Sequence, residues 1–296
     1  MDGSLALDGG TLYAGVSAKT AEVAAFDLDG RPLRAPIRFK DERTARSSIS
    51  GLAVDGDHRL WVVDAVAGRL RTFSSFGREV APLDLTAASE ERAPLLLGRV
   101  WKPVDVEAQG TAEQGWIALA GGGEQRQAVQ LFDPEGAFLC ALRSHGDPGR
   151  AFHGVRRVAA LGKLLYVVEG LARTVQVFRE REFHFAFRLT GRGGERFEPR
   201  ALAPLPDGRT LVLCRDPGPA LFLVDASGDV VRRLDGELPL GDVCDVVAES
   251  GRAEPATRVF VLDQAGLRVQ VLTLAGRALG SFATLARSPR AKKGGR

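Results

Sequence analysis

The sequence predicts an all-β fold, a single six-bladed β-propeller built from four-stranded antiparallel blades. Three observations predict it. One strand pattern recurs six times, a glycine turn follows the same strand in most copies, and helical periodicity is confined to one short candidate, Leu83–Leu97. Repetition at a fixed period indicates a repeat architecture, in which each unit buries its faces against its neighbours.

The repeat is clearest in three segments that align without gaps. Each has a short β-branched and aromatic run, an acidic residue, a turn of small residues and a second alternating run: LWVVDAVAGRLRTF (60–73), LYVVEGLARTVQVF (165–178) and VFVLDQAGLRVQVL (259–272). Looser copies are LYAGVSAKTAEVAAF (12–26), WIALAGGGEQRQAVQLF (116–132) and LVLCRDPGPALFLV (211–224). The copies recur at intervals of roughly fifty residues, with one longer interval that contains Ala87–Gly98.

Turn residues complete each unit. A glycine turn follows the third strand in DLDG (27–30), SSFG (74–77), DPEG (133–136), DASG (225–228) and TLAG (273–276). Such turns need a positive φ, which glycine adopts without steric cost. Each unit therefore has four short antiparallel strands, as one propeller blade does. A pair of β-sandwiches does not explain six copies, and a β-helix repeat is too short.

The predicted domain organisation is one propeller over residues 1–285, followed by a basic segment, 286–296. That segment has no apolar residues able to build a core, and we expect it to be disordered. The first and sixth units each contain a full set of predicted strands. We therefore expect the ring to close by packing of blade one on blade six.

Several segments resemble the NHL-repeat pattern, which runs from a Gly-rich segment and Phe through an apolar inner strand and a DG turn to a second apolar strand. They are ISGLAVDGDHRLWVVD (49–64), GDPGRAFHGVRRVA (146–159) and GRGGERFEPRALAPLPDGRTLVL (191–213). The resemblance implies a six-bladed propeller. It also implies a range of functions, since similar propellers act as protein-binding platforms, as RNA-binding domains or, with added metal ligands, as lactone hydrolases and amidating lyases.

Composition limits the function classes. The formal net charge of +3 sets up no strong field for a nucleic-acid partner. No run of 18 apolar residues is present, so we expect no membrane span. The cysteines Cys140, Cys214 and Cys244 lie in apolar strand-like runs and are typical of core residues in a reducing compartment. We expect a cytoplasmic protein.

No motif predicts a metal or cofactor site. His58, His145, His153 and His184 lack the spacing of zinc ligands. D-x-D-G at 27–30 and D-G-D at 55–57 suggest calcium loops, but hairpin turns explain both better. The recurring acidic residue after the second strand (Asp64, Glu169, Asp263) favours a structural role, accepting hydrogen bonds from loop amides.

Charge is unevenly distributed along the chain. Between Arg143 and Arg215, basic residues outnumber acidic ones two to one, and several of the arginines fall in the loops of blades four and five at the end that also holds the blade-linking loops, among them Arg192, Arg196 and Arg215. Long loops often carry function. The segment predicts a patch for an acidic protein segment, RNA phosphates or another polyanion; the alternative is a solvated face with local ion pairs.

The inner strands place further charges near the propeller axis. Asp105, Arg157 and Asp245 align at one repeat position, with Arg156 and Arg200 one residue away. Buried charges need partners or ligands. This set could hold a small anion, could hold a cation through Asp105 and Asp245, or could consist of mutually paired charges in a water-filled channel.

The function predicted from the sequence is therefore a non-enzymatic scaffold that presents one face of a propeller to a partner, another protein or an acidic peptide. Two alternatives stay open: a metal-dependent lactonase-type hydrolase at the central channel, and RNA or polyanion binding through the arginines of blades four and five.

Overall fold

The computed structural model is a closed ring of six antiparallel sheets. It describes residues 3–17, 20–40, 47–80, 85, 98–123, 126–146, 151–191, 193–234, 240–249, 254, 256–263 and 267–284. Leu83–Leu97, apart from Leu85, and the basic segment 286–296 lie outside these residues. In the part described, every regular element is a strand, and none is a helix long and apolar enough to cross a membrane.

The strands follow the repeat. Blades one to three contain β1 (Gly3–Asp8), β2 (Thr11–Ser17), β3 (Ala21–Asp27), β4 (Ile37–Phe39), β5 (Ile49–Val54), β6 (Leu60–Asp64), β7 (Arg69–Phe73), β8 (Pro103–Gly110), β9 (Gly115–Gly123), β10 (Arg126–Phe132) and β11 (Phe138–Leu142). Blades four to six contain β12 (Val155–Leu161), β13 (Leu164–Glu169), β14 (Thr174–Arg179), β15 (Glu182–Phe187), β16 (Pro199–Pro204), β17 (Thr210–Cys214), β18 (Ala220–Val224), β19 (Val230–Arg233), β20 (Val243–Ala248), β21 (Arg258–Asp263), β22 (Arg268–Thr273) and β23 (Ala278–Ala283).

The predicted fold class is confirmed. Five sheets contain four strands in sequence order; the second blade shows three, β5 to β7, within the described residues. The three gapless segments coincide with the second and third strands of blades two, four and six. The turn glycines Gly30, Gly77, Gly136, Gly228 and Gly276 all have positive φ, between 81° and 94°.

The hydrophobic core is divided among the blade interfaces. Within the described residues, one apolar cluster fills each of the six interfaces. Alternation along β6 shows why: Leu60 and Val62 pack against blade one, whereas Trp61 and Val63 pack against blade three. Strand side chains point alternately to the two faces of a sheet, so each central strand contributes to two cores.

The ring closes as expected, by packing of blade one on blade six without exchange of a strand. Leu12 and Phe26 of blade one share a core cluster with Phe260 and Leu262 of blade six. At the rim, the Arg258 guanidinium donates to the carbonyl of Leu28, 3.0 Å away.

Candidate functional site

The innermost strands β1, β5, β8, β12, β16 and β20 surround the central axis. We call the end at which these strands begin the top face. In blades two to six, a β-bulge at this end inserts one residue that has no partner on the second strand: Ser50, Val104, Arg156, Arg200 and Cys244. Bulges redirect side chains and often lie beside functional sites. Here they place one residue of each blade at the mouth of the channel.

The residue after the bulge forms a second ring, deeper in the channel. It contains Asp105, Arg157 and Asp245, all at most 7% exposed, at equivalent positions of blades three, four and six. The sequence alignment of these three residues is therefore confirmed. Gly51 occupies this position in blade two, where a Cβ would lie only 2.8 Å from the Cα of Asp105.

Arg157 links five blades. Its Nη1 donates to Asp105 Oδ1 at 2.9 Å and to the carbonyl of Ser50, and its Nη2 donates to the carbonyl of Gly3 at 2.7 Å. Nε and Nη2 contact the two carboxylate oxygens of Asp245 at 3.2 and 3.1 Å. A planar guanidinium with five N–H donors is suited to such a site, because every donor can find a fixed acceptor.

The two carboxylates also satisfy the inner edges of neighbouring blades. Asp105 Oδ2 accepts the Val158 N–H at 2.7 Å, and Asp245 Oδ2 accepts the Leu5 N–H at 2.7 Å. Ser4 of blade one satisfies a backbone group of blade two in the same way. Its Oγ accepts the Leu52 N–H at 3.0 Å and donates to Asp245. These side chains cap backbone groups that have no strand partner at the channel wall, and buried backbone groups of this kind need partners.

This geometry bears on the cation hypothesis for Asp105 and Asp245. Arg157 contacts both carboxylates, and each carboxylate also accepts backbone N–H groups of its own or the next blade. The positive charge that balances them is therefore built into the chain. Within the described residues, no three His, Cys, Asp or Glu side chains come together in a way that could hold a metal ion.

Burial dominates the electrostatics of the channel. It raises the pKa of Asp105 to about 7, against the opposing effects of Arg157 and the Val158 N–H. Burial alone would lower the pKa of Arg157, but Asp245 and Asp105 outweigh it, so the net change is upward and the guanidinium stays charged. The Arg157 charge therefore persists at every pH at which the protein is folded.

Glu107, which the sequence analysis did not single out, lies two residues after Asp105 on β8. It therefore points to the same side of the strand. Burial, and secondarily the charges of Asp105 and Asp245, raise its pKa well above the usual value. Its carboxyl group makes no hydrogen bond or ion pair with another described residue. The i, i+2 spacing from Asp105 was the signal in the sequence that could have identified it.

A cavity of about 120 Å³ opens at the channel mouth. The bulge residues of five blades line it together with Gly3, Arg157 and residues of the adjoining walls. Within the described part of the chain, the charged residues in its lining are Arg156, Arg157 and Arg200, and no carboxylate is among them. Ser50 also lines the cavity, and its buried Oγ has no hydrogen-bond partner among the described residues. Sequence analysis missed Ser50, because a bulge cannot be located from strand periodicity.

Cys244 also lines the cavity. Burial raises the pKa of its thiol to about 12, so it remains protonated near neutral pH. Its Sγ donates weakly to the Leu262 carbonyl, 3.7 Å away. The thiolate is the reactive form of cysteine, so Cys244 acts here as a small wall residue.

The arginine-rich face extends outward from the cavity over blades four and five. Arg196 and Arg215 are exposed, and Arg156 is 39% exposed, with its Nη2 3.4 Å from Glu198 Oε1. Arg173, not selected from the sequence, contacts Asp216 and the carbonyl of Arg196. Arg192 lies outside the described residues. The structure thus brings Arg156, Arg157 and Arg200 together at the mouth and leaves Arg196 and Arg215 farther out on blade five.

The other motifs have structural roles. Asp27 Oδ1 accepts the N–H groups of Asp29 and Arg31, and Asp55 Oδ1 accepts those of Asp57 and Arg59, so both suspected calcium loops are side-chain-capped turns. Two of the three recurring acids accept loop amides as predicted: Asp64 from Ser48 and Ala67, and Glu169 from His153. Asp263 accepts from the side chains of Arg268 and Gln270.

The histidines do not converge. His58 pairs with Asp8, 2.6 Å away, at the end opposite the mouth, and the ring of His145 stacks on Phe183 with the centroids 3.9 Å apart. These contacts suit histidines that serve the surface packing of separate blades.

Comparison with known proteins defines a class. No protein-family model matches the chain, and no curated protein is similar to it in sequence. The NHL relationship therefore stays a prediction. Solved structures share its architecture, and the chain is a six-bladed β-propeller.

Three of these structures show the range of the likeness. A streptogramin B lyase is 11% identical with a TM-score of 0.61, over 96% of this chain and 83% of that one. A chain of the nidogen/laminin complex structure is 13% identical with a TM-score of 0.62, and the match covers 92% of this chain and 93% of that one. The WD40 propeller domain of Doa1 is 13% identical with a TM-score of 0.59, and the match covers 96% of this chain and 82% of that one. At such low identity the likeness concerns the fold alone.

Proposed function

We propose that the protein is a non-enzymatic interaction scaffold that binds an acidic protein segment on the top face of blades four and five. One observation carries the proposal: among the described residues, the mouth cavity is lined by three arginines and no carboxylate, and further arginines are exposed beside it. Arginine pairs bidentately with carboxylates, so a row of guanidinium groups suits Asp and Glu side chains.

The local ion pairs leave this face positive. Glu198 contacts Arg156, and Asp216 contacts Arg173, but the exposed Arg196 and Arg215 add positive charge around them. Complementary charge accelerates encounter with a partner and suppresses binding of partners with the wrong charge. The same face therefore favours an acidic segment over a basic or neutral one.

The comparisons support this proposal at the level of architecture. The solved propellers of similar shape include a domain of WD40 type and a partner in the nidogen/laminin complex. Cys140, Cys214 and Cys244 form no disulfide, which suits the reducing compartment that we propose as the location, the cytoplasm.

The two alternatives find less support. A lactonase-type hydrolase using Asp105 and Asp245 would have to displace Arg157 from both carboxylates, although lyases are among the similar structures. RNA binding calls for exposed aromatic side chains that stack on bases. Phe152 and Phe197 are 0% and 4% exposed, so neither offers such a platform.

Titration of a fluorescein-labelled, glutamate-rich peptide with the purified protein tests the proposal. Anisotropy should show saturable binding that weakens as salt is added, because exposed charge pairs are screened. The triple variant Arg156→Met, Arg196→Met, Arg215→Met should bind about tenfold more weakly, since each exposed pair contributes up to about 1 kcal/mol.

The matched control is Arg277→Met, an exposed arginine in the turn after β22, at the opposite end of the blade. Its affinity for the peptide should equal that of the wild type. Equal binding by the triple variant, tighter binding of an RNA oligonucleotide than of the peptide, or metal-dependent turnover of lactones would each contradict the proposal.

A further inference from the structure

We propose that the mouth cavity is a binding site for one small oxyanion, a carboxylate or a phosphate, held by Arg156 and Arg200 with the Ser50 hydroxyl. The site is the inner part of the arginine face of the proposed function and has Arg156 in common with it, whereas Arg196 and Arg215 lie outside the cavity lining. A small anion needs no bound protein partner to occupy it.

The first observation is the chemistry of the side chains that line the cavity. Polar side chains around the cavity are three arginines, a serine and a protonated thiol, all of which can donate hydrogen bonds. Asp105 and Asp245, which follow the lining residues Val104 and Cys244, contact Arg157 and the inner backbone edges, and Glu198 contacts Arg156 from outside the lining. A cavity lined by donors and positive charge selects an anion with acceptor oxygens.

The Ser50 hydroxyl is the second observation. Ser50 is 9% exposed, and its Oγ is buried without a partner among the described residues, although its carbonyl is engaged by Arg157. Buried hydroxyl groups almost always have a partner, so an exception calls for an explanation. An oxyanion in the adjoining cavity supplies one, since it offers an acceptor to a hydroxyl that rotates freely.

The β-bulges are the third observation. Arg156 and Arg200 are the inserted residues of adjacent blades, and Ser50 is the inserted residue of blade two, on the other side of the channel. The bulges therefore converge these side chains on one point of the axis from separate blades. The volume, about 120 Å³, is well below that of pockets for drug-sized ligands, about 300–1,000 Å³. It suits a single anionic group.

Isothermal titration calorimetry of the full chain tests the site, with inorganic phosphate and acetate in separate arms against sodium chloride at equal ionic strength. We expect binding at one site per chain for at least one of the two anions. Binding of acetate alone assigns a carboxylate ligand, and binding of phosphate alone assigns a phosphate ligand.

Two variants localise the binding. Arg200→Met removes one guanidinium and should weaken anion binding by about tenfold or more, because a charge-assisted contact in an enclosed site contributes about 1.5–3 kcal/mol. Val104→Phe fills the cavity from blade three and should abolish binding. Arg277→Met is the control and should bind as the wild type does, and thermal unfolding verifies that each variant is folded.

The inference is overturned if neither anion binds the wild type, or if Arg200→Met and Val104→Phe bind it with unchanged affinity. Its failure is distinguishable from failure of the proposed function. If the wild type binds the peptide but neither anion, the oxyanion site is rejected and the acidic-segment proposal stands. If it binds an anion but not the peptide, the acidic-segment proposal is rejected and the oxyanion site stands.

Discussion

At the scale of single residues, Arg157 combines two properties that are seldom found together. It is a charged side chain at the centre of the molecule, and its donors contact groups of four other blades. A buried ion pair does not by itself indicate high stability, because desolvation offsets the attraction. Removal of one partner is different, since it leaves the opposite charges buried and uncompensated.

Arg157→Met should therefore lower the free energy of unfolding by about 3–5 kcal/mol. Asp105 and Asp245 would lose their counter-charge, and the carbonyls of Gly3 and Ser50 would lose a donor. Urea denaturation of the wild type and the variant measures the change. The exposed control Arg277→Met should change it by less than about 0.5 kcal/mol; a loss below about 1 kcal/mol for Arg157→Met would reject the central role of this residue.

Glu107 gives a pH-dependent prediction. Its pKa in the folded protein is raised, so its contribution to stability is complete below the pKa of the unfolded chain and is lost as the pH rises through the folded value. Glu107→Gln removes the ionisation. The variant should be more stable than the wild type at pH 8, by about 1–3 kcal/mol, and gain little at pH 5.

The melting temperature at a series of pH values measures this effect. Glu135→Gln, at an exposed turn position, is the control and should show no such trend. Asp105 contributes in the same direction, but it is unchanged in both variants. A difference between Glu107→Gln and the wild type that does not depend on pH would show that the carboxyl is solvated in the channel.

At the scale of the elements, the turn after the third strand joins neighbouring blades as well as strands. A Cβ on Gly228 of blade five would collide with the ring of Phe187 in β15 of blade four, and Gly30 of blade one has the same relation to Phe282 of blade six. Gly77 packs in this way against Ile37 of blade one. The glycine is therefore required both by its positive φ and by the close approach of the next blade.

Gly228→Ala and Gly194→Ala separate these two requirements. Both glycines have similar φ, 91° and 84°, but a Cβ on Gly194 would meet open space. Both variants should be destabilised by backbone strain, and Gly228→Ala by about 1–3 kcal/mol more, because of overpacking against Phe187. Chemical denaturation measures the difference. Equal losses in the free energy of unfolding would mean that only backbone strain, and no clash with Phe187, destabilises Gly228→Ala.

The strands and turns could be predicted from the sequence, whereas the β-bulges could not. Strands and turns were predictable because alternation and turn glycines are local signals, and DLDG (27–30) and DASG (225–228) became turns as expected. The bulges at Ser50, Arg156 and Arg200 were not predictable, because an inserted residue leaves the hydrophobic alternation of the strand almost unchanged. The alignment placed Asp105, Arg157 and Asp245 together, but it could not show that Arg157 contacts both carboxylates at once. That outcome depends on side-chain reach across the channel.

At the scale of the whole molecule, the charged residues near the axis lie in two layers. The deeper ring of Asp105, Arg157 and Asp245 joins the blades, including the closing contact of blades one and six through Asp245 and Ser4. Above it, Arg156 and Arg200 at the mouth and the outer arginines of blade five face outward. Ring closure by packing makes every interface equivalent in kind, with one apolar core between each pair of blades.

The central claim is that recognition takes place on the top face of blades four and five, and hydrogen–deuterium exchange with and without the glutamate-rich peptide tests it most directly. The account predicts slower exchange on peptide binding in the top loops around Gly170–Arg173, Glu195–Glu198 and Arg215–Asp216. It predicts no change in the turns of the opposite end, Asp55–His58 and Asp207–Gly208. Slower exchange at that end or along the outer strands, or no effect of the peptide anywhere, would contradict the account.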